Sequence, residues 1–168
     1  MEFNELIKKR KSIRKYKSEA LPPGSLDKIL SAGRFANSAR NRQKWAFIVV
    51  TNKEMLQALV PACRNQAFVG EAAALIAVCS TEEYTMSSGN PAHFIDCSIA
   101  LDHMQLAATS LELGTCWLGA FNNDKVGKLL SVPDEIWVVG LLTIGIPNEE
   151  GREKNRISLE DLVHYNKW

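Results

Sequence analysis

Residues 91–114, PAHFIDCSIALDHMQLAATSLELG, carry the most informative pattern in this chain of 168 residues. Pro91 suits the first turn of a helix, where its missing N–H would have no partner, and Gly114 suits the position just past a helix end. Between them Phe94, Cys97, Leu101, Met104, Ala108 and Leu111 recur at spacings of three and four, as on one face of a helix. Ile95, Ile99, Leu106 and Leu113 make a second apolar stripe on another face. A helix that is apolar on two faces has to be covered on both. The pattern alone is served equally by a central core helix of a monomer and by a helix with a core on one side and a second subunit on the other.

Outward from this helix, strands and helices are interspersed. Apolar, β-rich runs at Ala46–Thr51, Ala73–Ser80, Thr115–Ala120 and Trp137–Ile146 read as strands. Phe3, Leu6 and Ile7 at helical spacing predict a short helix over residues 2–10. Ser25 is expected to cap a helix running to about Ala36, Asn52-Lys53 to open one that Pro61 stops after Val60, and Asn123–Leu130 to form another. Thr81–Asn90 is polar and rich in small residues, so it is expected to be an exposed loop. Beyond Pro147 a polar tail carries Ile157, Leu159, Leu162, Val163, Tyr165 and Trp168, and a tail with that apolar content is expected to pack on something. These elements give one domain over residues 1–168 of α+β class, a mixed α/β composition with a small sheet and a long central helix.

Composition prunes the function classes. Twenty Lys and Arg against nineteen Asp and Glu leave a net charge of +1, no reason to expect nucleic acid as the partner of the whole domain. Cys63, Cys79, Cys97 and Cys116 form no C-x-x-C pair, and His93, His103 and His164 are dispersed, so no metal site is expected. Dinucleotide, P-loop and nucleophile-elbow motifs are absent. The N-terminus MEFNELIKKRKS has no apolar signal core, and the run Ala72–Cys79 is too short to span a bilayer. A cytoplasmic location, with reduced cysteines and no membrane partner, is expected.

Two basic clusters remain, Arg10-Lys11-Ser12-Ile13-Arg14 near one end and Lys154-Asn155-Arg156 near the other. In extended backbone Arg10, Ser12 and Arg14 point one way, and so do Lys154 and Arg156. Guanidinium forks and a hydroxyl brought together suit a phosphate dianion. A solvated charge run, or a weak polybasic patch for RNA or anionic lipid, reads the first cluster equally well.

Four segments in order resemble the nitroreductase family of flavoproteins. Residues Arg10 to Tyr16 are similar to its R-x-S-x-R-x-[FY] opening, and Ala36 to Trp45 to its A-P-S-x-x-N-x-Q-P-W segment. Asp96 through Gly119 resembles its long helix and following strand, and Ile144 to Pro147, Lys154-x-Arg156 and Leu159 to Trp168 resemble its C-terminal end. The resemblance covers essentially the whole chain. It implies a small, mostly antiparallel central sheet flanked by helices, a long central helix at a homodimer interface, and a C-terminal tail that wraps the partner and adds a strand to its sheet.

The same resemblance implies FMN as the ligand of both clusters. Arg10, Ser12 and Arg156 would hold the phosphate with Lys154 beside them, and Lys11 would act through its backbone or on the ribityl chain. Arg14 would approach the N1/C2=O edge, where a fixed cation favours the reduced state. Asn65 would bond the pyrimidine edge, the N–H groups of Leu118 and Gly119 would face N5 and O4, and Ser38 and Asn41 would come from the other subunit. The implied reaction is ping-pong, with hydride passing from NAD(P)H through flavin N5 to small electron-poor acceptors such as nitroaromatics or quinones, no side chain acting as acid or base, and Tyr84 and Met86 in a short lid over the substrate. Relatives of the fold also dehalogenate reductively or fragment flavin. Asn37 and Lys44 replace prolines common in the family, and Phe68 stands where some members carry a second lysine. Trp45 and Trp117 read as packing residues, Gln43 and Asp96 as hydrogen-bonded scaffolding.

Overall fold

The computed structural model describes residues 2–168. Four strands, β1 (Trp45–Val50), β2 (Ala74–Ser80), β3 (Gly114–Leu118) and β4 (Trp137–Gly145), form one sheet in the order β1-β2-β4-β3, every neighbouring pair antiparallel. Successive side chains of a strand leave opposite faces. On β2, Leu75, Ala77 and Cys79 therefore join one core while Ala74, Ile76 and Val78 join the other. The first core is closed by α3 (Lys53–Ala62), α4 (Phe68–Glu71) and α6 (Asn123–Leu129), the second by α2 (Ser25–Arg34) and α5 (Ala92–Ser110). With helices on both faces, β2 is buried along its whole length, which explains why it reads as an unbroken apolar run instead of an alternation.

The long helix α5 buries Cys97, Ala100, Leu101, Met104 and Ala108 against the sheet and α2. Of its second stripe, Ile95 is 40% exposed beside Trp117 at 36%, and Ile99 and Leu106 are half-buried. Two stripe assignments need correcting: Phe94 belongs to the exposed side, and Leu113, beyond the helix, is buried. Gly114 does not end α5. The helix stops at Ser110, Glu112 takes the left-handed conformation (φ 60°), and Leu113 N–H donates to Ala108 O at 2.9 Å. Gly114 instead opens β3, where a Cβ would lie 2.9 Å from the Ile13 side chain.

Other boundaries shift for local reasons. Gly24, left-handed at φ 75°, takes the cap position before α2, and Ser25 is the buried first helical residue. Pro61 sits inside the last turn of α3, which runs on to Ala62; so near the helix end its ring removes one hydrogen bond and breaks little. Asn52 caps α3 as expected, accepting from Met55 N–H at 2.7 Å. The single turn α4 was not expected, being too short to show a period, and β3 ends at Leu118, short of Ala120.

After α1 (Phe3–Lys9) the chain runs along the ends of β3 and β4. Ile13 N–H donates to Thr115 O at 2.8 Å, Lys17 N–H to Ile146 O at 2.9 Å, and Asn148 N–H to Lys15 O at 2.9 Å. Tyr16 anchors the crossing: its hydroxyl donates to Ile13 O at 2.8 Å and lies 2.8 Å from Thr143 Oγ1, and burial pushes the phenol well above its ordinary pKa. The C-terminal tail behaves differently. Apart from the single turn α7 (Leu159–Leu162), capped by Ser158, it is irregular, and Ile157, Leu159, Leu162, Val163, Tyr165 and Trp168 are all exposed. The expected packing of these residues is not made within their own chain.

Candidate functional site

Arg10 closes the C-terminal end of α1, and Lys154 and Arg156 follow a long way later in sequence, yet all three line one cavity of about 670 Å³ together with Lys11. Lys154 is the fastener. Its Nζ donates to Ile7 O at 2.6 Å and Lys8 O at 2.9 Å, two carbonyls left open at the end of α1. An ammonium at a helix C-terminus also meets the negative end of the helix dipole. Lys154 has three donors, so one remains for a ligand. Its pKa is held below the usual lysine value by desolvation and then by the positive charges of Arg10, Arg156 and Lys11. Five cationic residues, Lys8, Arg10, Lys11, Lys154 and Arg156, crowd a cavity whose one lining carboxylate is Glu153. An anion with several acceptor oxygens, such as a phosphate ester, would relieve that crowding, so these residues fit a phosphate.

A second cavity, about 420 Å³, lies on the other side of Lys11, lined by Glu112, Glu149 and Glu150 among others. Its three carboxylates outnumber Lys9 and Lys11, and Lys9 is already paired with Glu112, so it is a poor place for a dianion.

The crossing of the two termini depends on Gly151. Its φ is +70°, and a Cβ there would lie 2.9 Å from Lys11 Cβ and 3.0 Å from Ile13 Cδ1. Only glycine fits both the conformation and the space, and the C-terminal segment thereby passes over Lys11 and Ile13 to reach Arg10. Glu149 adds a second tie, its Oε1 accepting from Arg14 N–H at 2.6 Å. Lys11 and Ile13 thus face Gly151. Arg14 and Arg10 both lie within electrostatic range of the Cys116 thiol on β3, pulling its pKa down against the larger upward push of burial. Arg10 and Lys11 line the cation cavity together, and Ser12 and Arg14 are not among its lining residues. Gly151 and Glu149 were not singled out from sequence; a glycine flanked by charged residues just before the second basic cluster was the available signal.

At the far end of β3, Gly119 is exposed and a Cβ there would meet nothing within 4 Å. The loop after α3 is tied to the same place: Gln66 Nε2 donates to Ala120 O at 3.2 Å and Asn122 N–H to Ala62 O at 2.8 Å. Asn65, exposed and left-handed at φ 57°, therefore stands close to the Leu118–Gly119 end of the strand. Phe68 is buried in the core.

Ser38 and Asn41 do not join the cation cavity of their own chain. They line a separate cavity of about 520 Å³ with Arg34, Phe35 and Gln43. Asp96 is scaffolding: both carboxylate oxygens accept from Ala39 N–H at 3.1 Å, fixing the turn Ala39–Asn41 to the start of α5. Gln43 has the same role, its N–H donating to Ser38 Oγ at 3.0 Å and its Nε2 to Asn41 O at 3.2 Å. Trp45 packs on Phe47 with ring centroids 6.4 Å apart. The lid candidates also lie at this loop. The Tyr84 ring faces Arg42, whose guanidinium is 4.5 Å from the ring centroid, and Met86 N–H donates to Asn90 O at 2.9 Å in the turn beyond it. Among the described residues no helix is long and apolar enough to cross a membrane.

The site thus splits into two parts of one chain, a cationic cavity with the end of β3 and a polar loop with its neighbouring aromatic ring. Comparison with known proteins bears on what that arrangement serves. A solved nitroreductase family protein from Clostridium difficile 630 is 35% identical, with each chain covered over 100% of its length at a TM-score of 0.87. A Methanothermobacter thermautotrophicus protein provisionally named NADH dehydrogenase/NAD(P)H nitroreductase is 34% identical over 100% of this chain and 88% of its own. The FMN reductase (NADPH) of Bacillus subtilis is 25% identical over 98% of this chain and 73% of its own. The profile of the Nitroreductase family matches residues 7–83 and 61–146. With most of its length matched, this chain belongs to the Nitroreductase family.

Proposed function

We propose that the chain is an FMN-dependent NAD(P)H oxidoreductase that works as a homodimer and reduces small electron-poor acceptors such as nitroaromatics or quinones. The observation that carries the proposal is the convergence of Arg10 and Lys11 from one terminus with Lys154 and Arg156 from the other on a single cavity. The names of relatives support the same reading, which include an FMN reductase and an NADPH-flavin oxidoreductase. The chemistry that FMN supplies when bound is hydride transfer between NAD(P)H and the acceptor.

The protein's own residues bind, orient and tune. Arg10 and Arg156 would grip the phosphate with bidentate guanidinium bonds, helped by the Ser12 hydroxyl and the remaining Lys154 donor. Lys11 would approach the ribityl chain. Arg14 would hold positive charge at the ring edge that gains electron density on reduction. Asn65 and the N–H groups of Leu118 and Gly119 would bond the polar edge of the ring. Ser38 and Asn41, away from the cavity of their own chain, would complete the site of a second copy, with Tyr84 and Met86 shaping the acceptor cleft. The exposed stripe on α5, with Phe94 and Ile95 beside Trp117, and the uncovered tail support such a dimer.

Two measurements test the proposal. The purified protein should be yellow or become so with added FMN, and the loaded protein should oxidise NADH or NADPH anaerobically when given a nitroaromatic or a quinone. Colourless protein that ignores FMN would overturn the cofactor, and loaded protein inert to every donor and acceptor pair would overturn the reaction.

A further inference from the structure

We propose that Arg40 makes the acceptor cleft selective for aromatic acceptors bearing a carboxylate or another anionic group; the inference rests on the flavin reading above, in which Ser38 and Asn41 face the cofactor held by a second copy. Arg40 lies between those two residues at the apex of the loop. It is left-handed at φ 53°, and Asn41 and Gln43 are too, at 55° and 51°. Side chains avoid this conformation unless the surroundings enforce it, and enforced strain gathers at functional sites. Here the enforcement is visible: Asp96 holds Ala39, and Gln43 bonds both Ser38 and Asn41. Arg40 has no part in that network and is exposed.

Its neighbours say what it would recognise. The guanidinium of Arg40 is 6.0 Å from the Tyr84 ring centroid, and that of Arg42 is 4.5 Å away. Arg42 and Lys44, the latter at 3.2 Å, are both held by the one carboxylate of Glu82, so neither is free to swing to a ligand as Arg40 is. Among the described residues no ion pair includes Arg40. Tyr84 is itself anchored, since Ala92 N–H donates to Tyr84 O at 2.8 Å. The rim therefore offers the Tyr84 ring, with Arg42 close over it, and next to them the Arg40 guanidinium, which no carboxylate among the described residues pairs. A flat ring with an anionic substituent can stack on the first and form a forked ion pair with the second. An uncharged nitroaromatic of the same size gains the stacking alone.

Two acceptors that differ in charge and share the nitro group, 4-nitrobenzoate and 4-nitrobenzamide, isolate the effect on FMN-loaded protein. The ratio of their kcat/KM values should favour the benzoate by about fivefold or more at low salt and shrink as salt screens the pair. Arg40→Gln should remove the preference and Arg40→Glu should invert it. A readout without turnover uses benzoate and benzamide, titrated while the flavin absorption spectrum is followed, and their dissociation constants should order in the same way. Loaded wild-type protein with a ratio near one, or a ratio that neither substitution moves, overturns this inference alone. Protein that takes up no FMN overturns the reading beneath it and the inference together.

Discussion

From Pro147 to Arg156 the chain beyond β4 is fastened to the N-terminal segment by Asn148, Glu149, Gly151 and Lys154, whereas from Ile157 to Trp168 its apolar side chains lie in water. The two stretches are adjacent in sequence and opposite in energetics. In the first, polar ties and one glycine close a cavity from residues of a single chain. In the second, six large side chains have no cover, a cost that burial against another molecule would remove at roughly 25 cal/mol per Å² of apolar surface. The contrast separates what one copy builds alone from what the proposed dimer would supply.

Cutting the chain after Arg156 tests this contrast most severely. The shortened protein should keep its fold by circular dichroism but fall from two chains to one by light scattering and lose most of its flavin. A truncated protein that stays dimeric and fully loaded would show that the tail covers nothing that matters.

At the cavity that the fastened stretch closes, Arg156→Ala or Arg10→Ala should weaken FMN binding by about one to two orders of magnitude, the worth of hydrogen bonds to a charged group. Fluorescence titration reads it. The dimer should persist in both variants, the reverse of the tail deletion. Gly151→Ala should act on both fold and site. A left-handed alanine whose Cβ sits 2.9 Å from Lys11 costs about 1–3 kcal/mol, or a drop of a few degrees in Tm for a chain of this size, with a parallel loss of FMN affinity. Wild-type stability in this variant would mean that the crossing of the termini is not tight.

The smallest expected signal concerns the thiols. Burial pushes Cys63 and Cys79 up to about 11 and Cys97 up to about 12. Native protein at pH 8 should therefore resist thiol reagents that react fully once it is unfolded. These folded pKa values exceed the ordinary 9.0, so the folded state holds its protons more tightly, and stability from this source falls as pH rises from 9 towards 11. Rapid labelling of native protein would place a cysteine at the surface.

The elements readable from sequence were those with a local period. The strands and α5 announced themselves through spacing that depends on no distant partner, and Asn52 through its own cap. The end of α5 was misplaced because Glu112, an ordinary residue, adopts the left-handed turn while Gly114 answers a contact from Ile13. The two basic clusters could be named from sequence, but the meeting of Arg10 and Lys11 with Lys154 and Arg156 depends on Gly151 and on Lys154 reaching the end of α1, contacts between the two ends of the chain. Ser38 and Asn41 enter the proposed site only through the family resemblance, since within one chain they lie in a cavity apart from the cation cavity.

The meeting of cations is tested most directly by comparing FMN with riboflavin, which has the same ring and lacks the phosphate. Affinity for FMN should exceed that for riboflavin by about a hundredfold in wild-type protein, or roughly 2.7 kcal/mol, the net worth of one to two charge-assisted bonds to phosphate. Arg10→Ala and Arg156→Ala should each erase most of that gap by weakening FMN alone. Equal affinities for the two flavins in wild-type protein, or a gap that survives both substitutions, would contradict the claim that the two ends of the chain share one phosphate.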